Sequence, residues 1–264
     1  MQYLTREVRP QDVERYTTVY APRIRSVQLG SRLAPSIGVL QGLSIATRFI
    51  PGALSPNIRA LSWSVYAFDY LGMENVDLAA SYMSLFAGET LSCLYIPPLP
   101  EAPLPLCFTA LFSTIERLSG LKVLDLRSTF SPPNNPDVLN KLIASCPWEC
   151  LESLDVPTVA ESVLGQLQTL PRLKSLGLWG QQDILPLRYT LGRPPTYPPP
   201  TSFASLETLV VQSRSLGLLL TIALLQHLPQ VNRFRSLITS TWGESSPESS
   251  DVTQDFFCGH WEPL

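Results

Sequence analysis

Five side chains suited to binding or to acid–base chemistry occupy equivalent places in a short pattern that recurs along the chain: Tyr95, Asp125, Arg127, Asp155 and Trp179. Two neighbouring carboxylates can serve as acid and base when burial or like charge separates their pKa values. Aromatic and arginine side chains are the usual anchors of protein interfaces. Arg127 would stand beside both aspartates on an open surface, which favours a partner-binding patch over catalysis. The simpler alternative is a solvated surface on which Arg127 neutralises the two aspartates.

The histidines and cysteines suggest no second site. His227 is expected to close a helix, and His260 with Cys258 supplies too few ligands for a metal. Cys146 and Cys150 form a CxxxC pair that we interpret as buried structural thiols. The sequence contains no GxGxxG, Walker or GxSxG motif. We therefore predict a protein that is not an enzyme and has no cofactor and no metal site.

A proline-rich stretch carries one candidate recognition motif. Pro194, Pro195 and Tyr197 fit the PPxY pattern, which WW domains bind as a polyproline-II segment. Four-residue patterns arise often by chance in such loops, so the motif is a weak hypothesis. Phosphorylation of the serines in residues 244–251 is an equally weak one.

The five residues belong to a pattern of the form apolar-x-x-apolar-x-apolar. From Ile24 to Phe234 its eight copies span 210 residues in seven intervals, a mean of 30. A short motif with a period of this size indicates a repeat architecture, and LxxLxL is typical of leucine-rich repeats. The copies begin at Ile24, Ile58, Leu91, Leu121, Leu151, Leu173, Leu206 and Phe234.

The spacing within each copy predicts a short strand. The last two apolar positions alternate and so share one face of a strand, as Leu176 and Leu178 do. A single copy cannot bury that face, whereas stacked copies can. Parallel strands need long connections, and residues 76–86, 108–118, 135–146 and 215–228 have helical patterns. We predict an α/β, ribonuclease-inhibitor-like solenoid with a curved parallel sheet and about eight irregular repeats.

The residues between the leucines are expected to face the concave side of this sheet. In the first column Tyr95, Asp125 and Asp155 would be neighbours, and in the second column Arg127 and Trp179 would lie close to them. The first column comprises Gln28, Ser62, Tyr95, Asp125, Asp155, Gly177, Val210 and Ile238. The second comprises Gly30, Ser64, Pro97, Arg127, Pro157, Trp179, Gln212 and Ser240. Asn or Cys, frequent three residues after the last strand leucine in many such repeats, is absent from the equivalent positions.

The spacing of the eight copies predicts that the chain has three parts. Residues 1–23 form an N-terminal cap segment, and residues 24–242 form the solenoid. Residues 185–203, which hold six prolines, are a surface excursion from it. Residues 243–264 form an acidic, serine-rich tail that we expect to be disordered or weakly docked.

Charge and hydropathy narrow the range of partners. The net charge of −3 and the lack of a long basic run argue against nucleic acid. The longest apolar run, residues 216–225, is about half a membrane span, and the first residues lack the apolar core of a signal peptide. Five cysteines without framework spacing suit a reducing compartment. We expect a protein partner, no nucleic acid, no membrane, and a cytoplasmic or nuclear location.

Residues 9–27 resemble the segment that follows the F-box in the F-box/leucine-rich-repeat families of mushroom-forming fungi (basidiomycetes). The likeness extends over roughly residues 5–240. Its most specific matches are Arg9, Pro10, Asp12, Glu14, Arg15, Tyr16, Tyr20, Ala21, Arg23, Ile24 and Arg25.

The F-box itself is missing from this resemblance, because none of the 23 residues before the first copy resembles one. The resemblance therefore implies the substrate-recognition half of a ubiquitin-ligase receptor. The adaptor Skp1 would be a partner only if an F-box lies upstream. The alternative is a stand-alone repeat scaffold without a ubiquitin link, from a gene fragment or a relative that lost the F-box.

Overall fold

The computed structural model describes residues 9–29, 35–64, 73–96, 105–127, 136–146, 148–156, 161–180, 203–213 and 236–240. Within these ranges the strands are β1 (Ser26–Leu29), β2 (Ala60–Trp63), β3 (Cys93–Tyr95), β4 (Val123–Asp125), β5 (Ser153–Val156), β6 (Ser175–Gly180), β7 (Thr208–Ser213) and β8 (Ser236–Ser240). The α-helices are α1 (Pro10–Arg15), α2 (Ile37–Ala46), α3 (Met73–Tyr82), α4 (Pro105–Ile115), α5 (Pro136–Ser145) and α6 (Glu161–Leu167).

All eight described strands form one parallel sheet in which spatial order equals chain order, from β1 to β8. Neighbouring strands align the same position of each sequence copy, so that Leu124 pairs with Leu154 and Leu154 with Leu176. The prediction of an α/β fold with a single parallel sheet is therefore confirmed, as is a strand at each of the eight copies.

A repeated hydrogen-bond arrangement sets this register. The carbonyl of the second residue in one copy accepts from two consecutive N–H groups of the next. Lys122 O, for example, accepts from Glu152 N at 2.8 Å and from Ser153 N at 2.9 Å. The same two-to-one pattern links each consecutive pair of strands from β1 to β7. These seven strands therefore start at equivalent positions of the repeated sequence pattern. The other acceptors of this pattern are the carbonyls of Arg25, Arg59, Ser92, Glu152 and Lys174.

The core lies between the leucine face of the sheet and the helices. Leu173, Leu176 and Leu178 are each at most 4% exposed, which confirms the inward orientation predicted from their spacing. The opposite face, here called the outer face, carries the intervening residues. The helices complete the core with Leu40, Ala79, Ala80, Leu111, Ile115, Leu142, Ile143, Val163 and Leu167.

Three of the four predicted helical connections are confirmed. Residues 76–86 correspond to α3 and the 3-10 turn Met83–Leu85, residues 108–118 to α4, and residues 135–146 to α5. The fourth, residues 215–228, lies outside the described residues. Helices α2 and α6 were not predicted.

The N-terminal residues fasten onto the first strands. After α1 come a π-helix, Tyr16–Tyr20, and a 3-10 turn, Ala21–Arg23. The Tyr16 hydroxyl donates to Leu54 O at 2.7 Å. Arg25 Nη1 and Asn57 Nδ2 donate to Pro22 O at 2.8 and 2.9 Å. Several residues in the segment 9–27 thus stabilise this end of the sheet through hydrogen bonds.

Two predicted segments lie largely outside the described residues. The acidic tail, 243–264, lies there entirely, as does the proline-rich stretch up to residue 202. Phe203, the last residue of that stretch, is buried and donates its N–H to Gln168 O at 2.9 Å. Among the helices that the structure describes, none has the length and apolar character that crossing a membrane requires.

Candidate functional site

The fold brings the five predicted residues to one part of the outer face. Tyr95 of β3 pairs with Asp125 of β4, and Asp125 pairs with Asp155 of β5, as the predicted column requires. Arg127 directly follows the buried Leu126, and Trp179 lies two residues beyond Gly177 on β6. We call Tyr95, Asp125, Arg127, Asp155 and Trp179 the central patch. It spans four adjacent strands.

Within the central patch, Asp125 and Arg127 form an ion pair with several hydrogen bonds, which we call the closed pair. Nε of Arg127 donates to both carboxylate oxygens of Asp125 at 3.0 Å, and Nη2 donates to Oδ2. The backbone N–H of Arg127 adds a further bond to Oδ1 at 3.0 Å. Asp125 is only 8% exposed, and the described donors to its carboxylate all belong to Arg127, two positions along the chain.

Asp155 takes a different partner. Its Oδ1 accepts a hydrogen bond from Nε1 of Trp179 at 2.9 Å. The guanidinium of Arg127 stacks over the Trp179 ring, with Cζ 4.7 Å from the ring centroid. Arg127 therefore hydrogen-bonds to Asp125 and acts on Asp155 through its charge, so the simpler alternative, in which Arg127 neutralises both aspartates, stays open. Trp179 joins the closed pair to Asp155.

Burial and neighbouring charges shift the pKa values of Asp155, Arg127 and Tyr95. It raises the pKa of Asp155, helped by the charge of Asp125 and opposed by the Trp179 hydrogen bond and by Arg127. Burial alone would lower the pKa of Arg127, but the hydrogen bond and charge of Asp125 outweigh it and raise that pKa. Burial, with Cys93 and Asp125, raises the pKa of Tyr95. At neutral pH the patch offers a neutral phenol and a permanent cation.

Gly177 was not predicted as part of the site, yet the geometry of Asp155 depends on it. A Cβ at this position would overlap Asp155 Oδ1 and would lie 2.6 Å from Trp179 Nε1. The carboxylate and the indole thus meet directly above the glycine. The signal in the sequence is a glycine inside a predicted strand, which often marks the close approach of another group.

A second set of charges lies at the other end of the same strands, and we call it the charged row. Glu152 pairs with Lys122 at 3.5 Å and with Lys174 at 2.8 Å. The Lys174 hydrogen bond lowers the pKa of Glu152, and Glu152 in turn raises the pKa of Lys174. The side chains of Lys122 and Lys174 are 54% and 53% exposed and that of Glu152 is 31% exposed, so these pairs lie at the surface.

The thiols are less buried than predicted. Cys146 and Cys150 are free and half-buried. The prediction of buried thiols is met only in part, because both residues lie in the turn between α5 and β5. Burial nevertheless raises the pKa of Cys146 to about 12, so this thiol stays protonated at neutral pH. Among the described residues, no three His, Cys, Asp or Glu side chains converge on a point where a metal could bind.

Several candidate residues lie outside the described ranges: Pro194, Pro195 and Tyr197 of the PPxY motif, His227, Cys258 and His260. The chain matches no protein-family model, no curated protein and no solved structure in comparisons with each. The central patch is therefore interpreted from its own geometry.

Proposed function

We propose that this chain is a leucine-rich-repeat solenoid of the ribonuclease-inhibitor-like type that binds a protein on its outer face. Three features support the proposal: the period of about thirty residues, the equality of strand order and chain order, and the helical connections packed on the leucine face. The chain itself makes or breaks no bond in this proposal and needs no cofactor.

The observation that carries this proposal is the connected geometry of the central patch. Trp179 is held by Asp155 on one side and by Arg127 on the other. Both Trp179 and Tyr95 are half-buried. Large side chains whose orientation is fixed in advance lose little freedom on binding, and aromatic and arginine residues dominate interface energies. The patch thus has the composition and rigidity of an interface centre.

Within this proposal the partner is the substrate of an F-box-type ubiquitin-ligase receptor, in the cytoplasm or nucleus. The support is the resemblance of residues 9–27 to the segment that follows the F-box in fungal receptors. In this chain Tyr16 and Arg25 of that phrase bond to Leu54 and Pro22. Residues 9–27 are thus attached to the first strands of the sheet by these bonds.

Capture of binding proteins by the immobilised chain tests the proposed interface. The variant Tyr95→Ala/Trp179→Ala should lose partners that the wild type retains. Tyr20→Ala/Phe49→Ala is the matched control, because it removes two aromatic side chains that are 47% and 65% exposed and lie outside the sheet. Equal losses in both variants, or none in the first, would contradict binding at the central patch.

The link to ubiquitin is tested separately with Skp1. Recovery of Skp1 by a version extended with the upstream coding sequence would support the receptor. Failure of both the extended version and this chain to recover Skp1 would leave the stand-alone scaffold as the better proposal.

A further inference from the structure

The formal charges of the central patch do not cancel. Asp125 and Arg127 compensate each other through bonds that use Nε, Nη2 and both carboxylate oxygens. Asp155 carries the one further formal charge of the patch. Every hydrogen bond that the guanidinium of Arg127 makes with a described residue goes to Asp125. The formal charges of the patch thus sum to −1, and Asp155 is the carboxylate to which Arg127 donates no hydrogen bond, although the charge of Arg127 acts on it.

Among the described residues, only one oxygen of the Asp155 carboxylate has a hydrogen-bond donor. Oδ1 accepts from Trp179, while Oδ2 accepts no hydrogen bond from any described residue. The side chain is half-buried, so water solvates the charge only in part. A partly desolvated carboxylate gains more from an opposite charge than one in bulk water, because the effective dielectric constant around it is lower.

The surroundings of Asp155 fit a long and narrow side chain. Two residues before Asp155 and Gly177, on the same face of the sheet, stand the small and half-buried Ser153 and Ser175. Tyr95 and Trp179 provide aromatic surface at the two sides of the patch. An aliphatic stem with a cationic head, as in lysine and arginine, can lie along such a surface.

We infer that the central patch receives a lysine or arginine side chain of the partner protein, with the carboxylate of Asp155 as its counter-ion. This inference rests on the proposed function. An acidic partner residue would meet Asp155 without a free cation to offset it, since Asp125 already occupies Arg127. The desolvation that raises the pKa of Asp155 is offset when the cation arrives.

Selection from a random peptide library displayed on phage tests the inference. The wild-type chain should enrich peptides with lysine or arginine at one fixed position, and Asp155→Asn should lose that preference. Glu152→Gln is the matched control, because Glu152 is a carboxylate of the same chain segment that is already paired with Lys122 and Lys174. It should select the same peptides as the wild type.

A measurement on the wild-type chain keeps the test valid if Asp155→Asn does not fold. Exchange of the selected basic residue for glutamine in the best peptide should weaken binding at least about tenfold, as expected for the loss of a partly buried charge pair. A weaker effect would overturn the inference.

Two other outcomes separate this inference from the proposed function. Peptides that depend on Tyr95 and Trp179 but share no basic position would overturn the charge inference and leave the interface in place. A basic preference that Asp155→Asn retains would do the same. If the wild type enriches no peptide over Tyr95→Ala/Trp179→Ala, the interface is contradicted, and the inference with it.

Discussion

Glu152 immediately precedes strand β5 and Asp155 lies within it, three residues further on, yet the fold affects their proton affinities in opposite ways. Glu152 lies between two lysines whose side chains are more than half exposed, and the hydrogen bond from Lys174 lowers its pKa. Asp155 is half-buried beneath Trp179, and burial raises its pKa. Strands β4 to β6 and the residues beside them therefore carry two unlike sets of charges, the charged row and the central patch.

The difference shows that an ion pair by itself indicates little about function. Exposed pairs such as Glu152–Lys174 arise readily on a parallel sheet, because equivalent positions stand side by side, and water screens them. The central patch instead combines charge with burial, an indole and a glycine that makes room for it. These added constraints are the reason why the proposed binding surface is the central patch and not the charged row.

The charged row and the central patch both lie on strands that pack on the same core. Leu176→Ala tests whether this core fixes the positions of their residues. Leu176 is fully buried on β6 between Lys174 and Trp179. Its truncation should lower the free energy of unfolding by about 2–5 kcal/mol. Chemical denaturation followed by circular dichroism measures the change. A negligible loss would contradict the register on which both sets depend.

Asp125→Asn against Glu152→Gln measures the difference between the two sets directly. Each variant replaces a carboxylate by its isosteric amide beside a cation. Asp125→Asn should cost about 1.5–3 kcal/mol, because it leaves Arg127 without a charged acceptor in a partly buried place. Urea titrations of the two variants under the same conditions provide the measurement. Equal losses of stability in the two variants would contradict a difference in energy between the central patch and the charged row.

Gly177→Ala tests whether the close approach of Asp155 and Trp179 is a real constraint. The added methyl group must push the carboxylate and the indole apart, at a cost of about 1–3 kcal/mol. Gly165→Ala in α6 is the control, since no atom lies within 4 Å of its added carbon, and it should stabilise the helix by up to about 1 kcal/mol. Opposite signs in thermal unfolding are expected.

The pH dependence of Asp155→Asn tests the cause assigned to the raised pKa. A raised pKa means that the folded chain binds the proton more tightly than the unfolded chain does. Wild-type stability therefore falls as pH rises from about 4, the unfolded value, through the folded pKa. Asp155→Asn lacks this contribution and should gain on the wild type over that range. A constant difference between the two in urea titrations would contradict the role of burial.

Glu152→Gln should have the smallest effect, and its pH dependence should have the opposite sign. Because the pKa of Glu152 is lowered, its contribution is present above about pH 4.3 and is lost as pH falls through the folded value. At neutral pH the variant should be hard to distinguish from the wild type by urea titration, and added salt should remove any remaining difference. A loss as large as that of Asp125→Asn would place the charged row among the structural determinants.

Much of the sheet and the membership of the patch were predictable, because strand alternation and a regular repeat fix which residues stand side by side. The column Tyr95, Asp125 and Asp155 follows from these two rules alone. The pairing within the patch did not follow. Which aspartate Arg127 chooses depends on side-chain conformations and on burial, and neither has a period in the sequence.

The two side chains that meet above Gly177 were unpredictable for a related reason. In the sequence a glycine at an outer position is one small residue among several, such as Ser62. Only the three-dimensional arrangement shows that its missing side chain is the condition for the contact between Asp155 and Trp179.

The equality of strand order and chain order also bears on how such a chain can change over generations. Each described strand pairs only with its neighbours in chain order, and from β1 to β7 the same two-to-one pattern links consecutive strands. A duplication or deletion of one whole unit, cut at equivalent positions, would leave every other pairing intact. A sheet that pairs strands distant from each other in the chain would lose some of its pairings after the same duplication or deletion. Genes of this design can thus lengthen or shorten the sheet in whole units, while point changes on the outer face leave the pairing of the strands unchanged.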